Sequence, residues 1–111
     1  MIKSEPAKKL TIYVDEVDKF KGLPVYEMLM ELFYKNKMAG VSVFRGVAGY
    51  GSHRVFHTSK ILELSTSLPI KIEVVDSEAM ISKILPDVCA AVEKGLVEIS
   101  DAVIVRSCEK E

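Results

Sequence analysis

The alternation of apolar and polar positions divides the chain into six segments. LTIYV, Leu10 to Val14, has the two-residue period of a strand, with Leu10, Ile12 and Val14 on one face. The polar connection DEVDKFKG follows. Pro24 suits a first helical position, and Val25, Met28, Leu29, Leu32 and Phe33 then repeat as one buried helical stripe. Glu27, Glu31 and Lys35 fall on the other side at four-residue intervals, which suits a solvated face, and Gly40 can end the helix. GVSVF, Gly40 to Phe44, alternates as a second strand. LPIKIEVV, Leu68 to Val75, gives a third, with Ile70, Ile72 and Val74 facing one way. Asp76 or Ser77 can cap a second helix, whose stripe is Ile81, Ile84, Leu85, Val88 and Val92. Gly95 offers that helix a left-handed C-terminal position, and Pro86 should kink or divide it near its middle. LVEISDAVIVRS supplies a last strand centred on Ala102 to Val105, and CEKE reads as a frayed tail.

Strand, helix, strand, strand, helix, strand is the order of a ferredoxin-like βαββαβ sandwich. This is an α+β fold with an antiparallel four-stranded sheet and two helices on one face. The other face then carries Thr11, Tyr13, Ser42, Phe44, Lys71, Glu73 and Val75. That set is too aromatic and too apolar for a plain solvated surface. Burial against another subunit is one reading; mutual cover of Tyr13 and Phe44 on a monomer is the other.

Length and charge narrow the functions. A chain of 111 residues, 49% apolar, is a single domain able to bury one core. Fifteen basic residues against sixteen acidic leave a net charge of −1, so there is no broad positive field for nucleic acid and any anion site must be local. Cys89 and Cys108 are too few for a disulfide framework and read as reduced thiols. The opening MIKSEPAKKL is polar, and no window approaches the ~20 apolar residues of a membrane span. The expectation is a soluble cytoplasmic chain.

Chemistry concentrates in FRGVAGYGSHRVFHT, Phe44 to Thr58. About twenty residues separate the second and third strands, against the ~4 to 6 of an ordinary connection. Part of this stretch, KILELS, can extend, so residues 46–67 read as a projecting ribbon. Gly46, Gly49 and Gly51 allow positive φ and close backbone approach, so that successive N–H groups could converge on an anion. Arg45, His53, Arg54, His57 and Lys60 add positive donors. The stretch matches neither a P-loop nor a dinucleotide fingerprint, and the alternative is a bulge and turn where a strand leaves the sheet. His53 and His57 have the spacing of a metal pair on a helix, in a setting that is not helical. Asp15, Glu16 and Asp18 lack calcium-loop spacing and are expected to face solvent. Ser65, Thr66 and Ser67 have no base beside them, so no catalytic residue is assigned.

LTIYVDE, KGLPVYEMLMELFYKNKMAGVSVFRGVAGYGSHRVFHT, LELSTSLPIKIEVVD and VEKGLVEISDAVIV together resemble an uncharacterised family of PII-like proteins, the domain of unknown function number 190. The resemblance spans about Lys8 to Arg106. RG-x-x-GYG, the His57-Thr58 pair, LPI-x-IE-x-VD and KGL fall in family order, and the sequence departs from the pattern at Ser67, where an acidic residue is usual. VSVFRGVAGYGSHR is also distantly similar to the start of the T-loop in nitrogen-regulatory PII signalling proteins.

That resemblance implies a noncatalytic homotrimer, its open sheet faces packed together at the centre. A small anionic effector, an adenine nucleotide among the candidates, would lie in the intersubunit clefts against Gly46, Gly49, Tyr50, Gly51, His53, Arg54, His57 and Arg106. The 51–67 ribbon would report to a protein target, for which a membrane transporter is one candidate. The segment KGLVEISDA puts Glu98 and Asp101 where a second glycine-rich basic loop would be wanted. A triphosphate would therefore lose several charge-assisted hydrogen bonds of about 1.5 to 3 kcal/mol each. Two alternatives stand beside this: a metal-binding trimer similar to divalent-cation tolerance proteins, with His53, His57 and Cys108 as ligands, and a ligand-free protein-interaction trimer. An acylphosphatase-type enzyme would need an arginine-bearing loop after the first strand, where DEVDKFKG is acidic.

Overall fold

A computed structural model describes residues 4–50, 57–58 and 68–105. In chain order the elements are β1 (Glu5–Asp15), the two-residue strands β2 (Lys19–Phe20) and β3 (Leu23–Pro24), and helix α1 (Val25–Lys35). They continue with β4 (Val41–Arg45), the short β5 (Ala48–Gly49) and β6 (His57–Thr58), β7 (Pro69–Asp76), α2 (Glu78–Ala91) and β8 (Leu96–Ile104). The main sheet has the order β4-β7-β1-β8, with every neighbour antiparallel. This is the ferredoxin-like βαββαβ sandwich expected from the alternation.

The register shows why the two faces differ. Ile12 stands opposite Ile72 on β7 and Val97 on β8, and Ile72 stands opposite Val43 on β4. Directly opposed residues share a face, so this row and its neighbours Leu10, Val14, Ile70 and Val74 all meet the helices. Helix α1 contributes Val25, Leu29 and Phe33, and α2 contributes Ile81, Ile84, Val88 and Ala91, all buried. Each large side chain in this core stabilises the fold by about 1.5 to 3 kcal/mol.

Helix ends deviate from the expectations in instructive ways. Pro24 is the N-cap of α1 and still pairs in β3, so the helix begins one residue later, at Val25. Its C-terminus is a Schellman motif: the Met38 N–H donates to the Phe33 carbonyl at 3.1 Å and the Lys37 N–H to that of Tyr34 at 3.1 Å. The left-handed residue there is Lys37, at φ 57°, and Gly40 takes no part in ending the helix. Ser77 caps α2, its hydroxyl accepting from the Met80 N–H at 3.2 Å. Asp76 accepts instead from the Ser77 and Ala39 N–H groups, tying the approach to β4 onto the end of β7.

Pro86 does not divide α2, which runs unbroken through it. Pro86 and Ser82 both lie on the exposed side of the helix, so the carbonyl left without its i+4 donor can turn to water. Gly95 is not the C-terminal residue of α2 either, since the helix stops at Ala91. Gly95 has φ 140°, and a Cβ there would stand 2.2 Å from the Tyr13 carbonyl oxygen. It is the point where the chain crosses close over β1 before entering β8. That last strand begins at Leu96, well before the expected centre at Ala102 to Val105.

Two substitutions test these backbone assignments by chemical denaturation. Lys37→Gly should raise stability by about 1 kcal/mol, because glycine adopts the left-handed conformation without the Cβ penalty. Gly95→Ala should lower it by about 1 to 3 kcal/mol through strain at positive φ and the clash over Tyr13.

Candidate functional site

One end of the sheet gathers most of the unusual chemistry. The C-terminal ends of β1 and β4, the N-terminal ends of β7 and β8, the start of α1 and the end of α2 all meet there, as the antiparallel registers require. The acids after β1 organise this end, which corrects the expectation that they simply face solvent. Asp18 accepts from the Asp15 N–H at 3.0 Å, and its own carbonyl receives the Val25 N–H at 2.8 Å, closing the turn into α1. A two-residue hairpin, with Lys21 at φ 52° and Gly22 at φ 84° between β2 and β3, completes that connection.

Glu16 holds both feet of the ribbon. Its carboxylate pairs with Arg45 Nη2 at 2.8 Å and also accepts weakly from the Leu68 N–H at 3.5 Å. Its own N–H donates to the Leu68 carbonyl at 2.9 Å. Arg45 leads into the glycine-rich stretch and Leu68 comes out of the long connection, so one residue ties the outgoing and returning strands to β1. Arg45 is therefore partly neutralised where it stands.

The glycines are used differently from the anion-nest expectation. Neither Gly46 nor Gly49 has positive φ; among described glycines only Gly22 and Gly95 do. Their small size is what matters, because Pro69 packs over both. A Cβ on Gly46 would stand 2.7 Å from Pro69 Cγ, and one on Gly49 3.2 Å from the same atom. The Gly46 N–H donates to the Pro69 carbonyl at 2.7 Å, so it is not presented to a ligand. Beyond Gly46 the ribbon begins as an antiparallel pair, with Gly49 opposite His57 and Ala48 opposite Thr58. Tyr50, next to that pair, is exposed.

Of the eight residues expected to face a ligand, Gly46, Gly49 and Tyr50 stand at this root, and the backbone of His57 joins them through β6. Gly51, His53, Arg54 and Arg106 lie outside the described residues, as do Cys108 and the KILELS segment. Sequence reasoning missed Glu16 and Pro69. The closeness of two glycines to one Leu-Pro step was visible as a motif, without its steric reason.

On the other side of the same end lies a small cleft of about 100 Å³ lined by Asp18, Lys19, Val25, Ala91, Glu93 and Lys94. Its last two residues belong to the connection before β8, which revises the reading of KGLVEISDA. Glu98 and Asp101 are inside the strand, Glu98 opposite Thr11 on the open face and Asp101 opposite Lys8 on the helix side. The connecting loop itself is Glu93, Lys94 and Gly95, so it does carry one lysine and one glycine, a few residues earlier than expected.

The sheet face away from the helices is only partly covered. Across it Phe44, Lys71, Tyr13 and Leu96 form one row, in which Phe44, Tyr13 and Leu96 are 49, 38 and 53% exposed. The next row is Ser42, Glu73, Thr11 and Glu98, with Thr11 buried. Glu73 bridges Lys71 at 2.9 Å and Lys9 at 3.2 Å, and Lys71 also lies 5.8 Å from the Phe44 ring centre. The bonds to Lys71 and then Lys9 hold the Glu73 carboxyl below its usual range, and the bond to Glu73 raises Lys71. On the helix side Lys8 bonds Asp101, which raises the Lys8 ammonium and lowers the Asp101 carboxyl.

With fold and site in place, comparison with known proteins adds the lineage. The model of the family described as "Uncharacterized ACR", domain of unknown function 190, matches residues 7–104. The chain belongs to this family. Curated relatives carry the name UPF0166. One from Methanocaldococcus jannaschii is 38% identical over 96 residues, 86% of this chain and 88% of the relative. Another from Aquifex aeolicus is 32% identical over 98 residues, 88% and 92% of the two chains. Among solved structures, CPII of Thiomonas intermedia K12, a nitrogen regulatory PII-like protein bound to ADP, AMP and bicarbonate, superposes with a TM-score of 0.73 at 22% identity. That match covers 96% of this chain and 94% of CPII. A PII-like signalling protein of Thermus thermophilus superposes with a TM-score of 0.65 at 18% identity, covering 92% of each chain. The UPF0166 chain thus has the PII-like form of the ferredoxin-like fold. Among its described residues no three His, Cys, Asp or Glu side chains gather as a metal site requires, and no helix is long and apolar enough to cross a membrane.

Gly46→Ala should destabilise the protein by about 1 to 3 kcal/mol by forcing β4 away from Pro69, read as a lower midpoint in urea. The Glu73 cluster sets a pH dependence. A depressed carboxyl stabilises the fold above its ordinary pKa, and that contribution is lost as pH falls through the depressed value. The raised Lys71 contributes below its ordinary pKa and is lost only as pH rises through the raised value. At neutral pH both are present, and thermal melts of Glu73→Gln should lose part of the acid-side decline seen in the parent.

Proposed function

We propose that this UPF0166 protein is a noncatalytic regulatory trimer. In this reading it senses a small anion, an adenine nucleotide with few phosphates or bicarbonate, in clefts between subunits and reports through the 51–67 ribbon. The observation that carries the proposal is the juxtaposition at one end of the sheet. The root of a long connection stands beside a row of exposed apolar residues, Phe44, Tyr13 and Leu96, that the two helices leave uncovered. Pairing those faces around a threefold axis would bury the row and set each ribbon root against a neighbour.

CPII, with the same fold, was crystallised with ADP, AMP and bicarbonate, which supports a nucleotide or small-anion ligand. The anion would meet Tyr50, Gly51, His53, Arg54 and His57 from the ribbon, with Arg106 nearby. Gly46 and Gly49 serve the site by letting Pro69 pack, and Arg45 is held by Glu16. Lys94 in the short loop before β8 offers one further cation. With so few donors, AMP or ADP fits better than a tightly held triphosphate. No nucleophile and base pair stands at this end among the described residues, so binding and signalling account for the arrangement better than turnover.

Size-exclusion chromatography with light scattering should give a trimer mass, and Tyr13→Glu with Phe44→Glu should give a folded monomer. Titration calorimetry with AMP, ADP, ATP, cyclic nucleotides, bicarbonate and 2-oxoglutarate should show heat with AMP, ADP or bicarbonate. Arg54→Ala should weaken that affinity about tenfold or more. A trimer giving no heat with any of these ligands would overturn the sensing half, and a monomeric parent the assembly half.

A further inference from the structure

The outward side of α1 does not look like the plain solvated face its charges suggested. Glu27, Met30, Glu31 and Tyr34 are all exposed and fall at positions i, i+3, i+4 and i+7, so they form one continuous stripe. Met30 is 44% and Tyr34 86% exposed, and Leu23 joins them from β3 at 50%. Leu23, Glu27, Met30 and Glu31 enclose a cleft of about 330 Å³. Leu23 is held there by the tight hairpin at Lys21 and Gly22, whose left-handed residues fix its direction. A leucine, a methionine and a tyrosine around a cleft on rigid elements have the composition of a binding patch: adaptable thioether, aromatic anchor and aliphatic wall.

The charges say what would fit. Neither Glu27 nor Glu31 forms an ion pair with any described residue, so each carboxylate keeps its full field at the edge of the cleft. An anionic bilayer would be repelled. A second copy docking face to face would bring four carboxylates together, which disfavours a twofold contact through this patch. A cationic partner has no such penalty. The stripe also points away from the sheet, so it stays accessible whether or not the open sheet face is covered.

We infer that the Leu23, Glu27, Met30, Glu31 and Tyr34 surface docks a cationic amphipathic protein segment, with an apolar side chain in the cleft and lysine or arginine against the two glutamates. The inference does not depend on the proposed ligand or on the trimer.

The test uses the full chain, labelled for NMR, and a helical peptide of leucine and lysine, with a counterpart carrying glutamate in place of lysine. The lysine peptide should shift the signals of Leu23, Met30 and Tyr34 and weaken as salt is added, and the glutamate peptide should not bind. Glu27→Lys with Glu31→Lys should weaken binding about tenfold or more at unchanged melting temperature and mass. Met30→Ala should weaken it with the charges intact. Absence of binding, shifts centred elsewhere, equal binding of the glutamate peptide, or full affinity in the charge-reversed variant would each overturn the inference.

Discussion

Two helices can bury only one face of a four-stranded sheet, and the character of this molecule follows from that shortage of cover. On β1 the even positions Leu10, Ile12 and Val14 enter the core and the odd positions Thr11 and Tyr13 do not meet the helices. A monomer with this topology must either solvate its second face or hide it. Here the face is a compromise, with a lysine–glutamate–lysine chain over one part and an aromatic row over another. Such a surface tolerates water and still gains from being covered, as an interface between subunits requires.

The end of the sheet from which the ribbon departs is built for rigidity. Glu16 links Arg45 to Leu68, and Pro69 sits over Gly46 and Gly49 while accepting the Gly46 N–H. These contacts fix where the long connection begins and ends. Whatever ligand chemistry its distal residues perform therefore works from a defined base, and the strand pair of β5 and β6 carries that definition outward past the sheet.

Much of this was legible in the residues. Period-two runs located the four long strands, and a 3.6-residue stripe located both helices, because half-buried elements must separate apolar from polar positions. The open-face set was readable for the same reason: once Leu10 faces the core, Tyr13 cannot. Helix ends were less legible, since Lys37 adopts a conformation usually left to glycine and no local signal distinguishes it. Pro86 misled because its cost depends on whether the orphaned carbonyl reaches water, which only the exposed face of α2 reveals. The glycine stretch was recognised as special, yet its φ angles and its steric partner depend on Pro69, more than twenty residues away. Glu16 was invisible as an organiser for the same reason, both its partners being distant in sequence.

The packing of Pro69 on Gly46 has a further consequence for how such chains can diverge. Neither position is free by itself: a side chain at 46 needs a smaller neighbour at 69, and a bulkier residue at 69 needs the glycine to stay. The two sites share a single allotment of volume across two strands. Viable relatives should therefore change them jointly, and a lone replacement at either one should persist only where β4 has shifted away from β7.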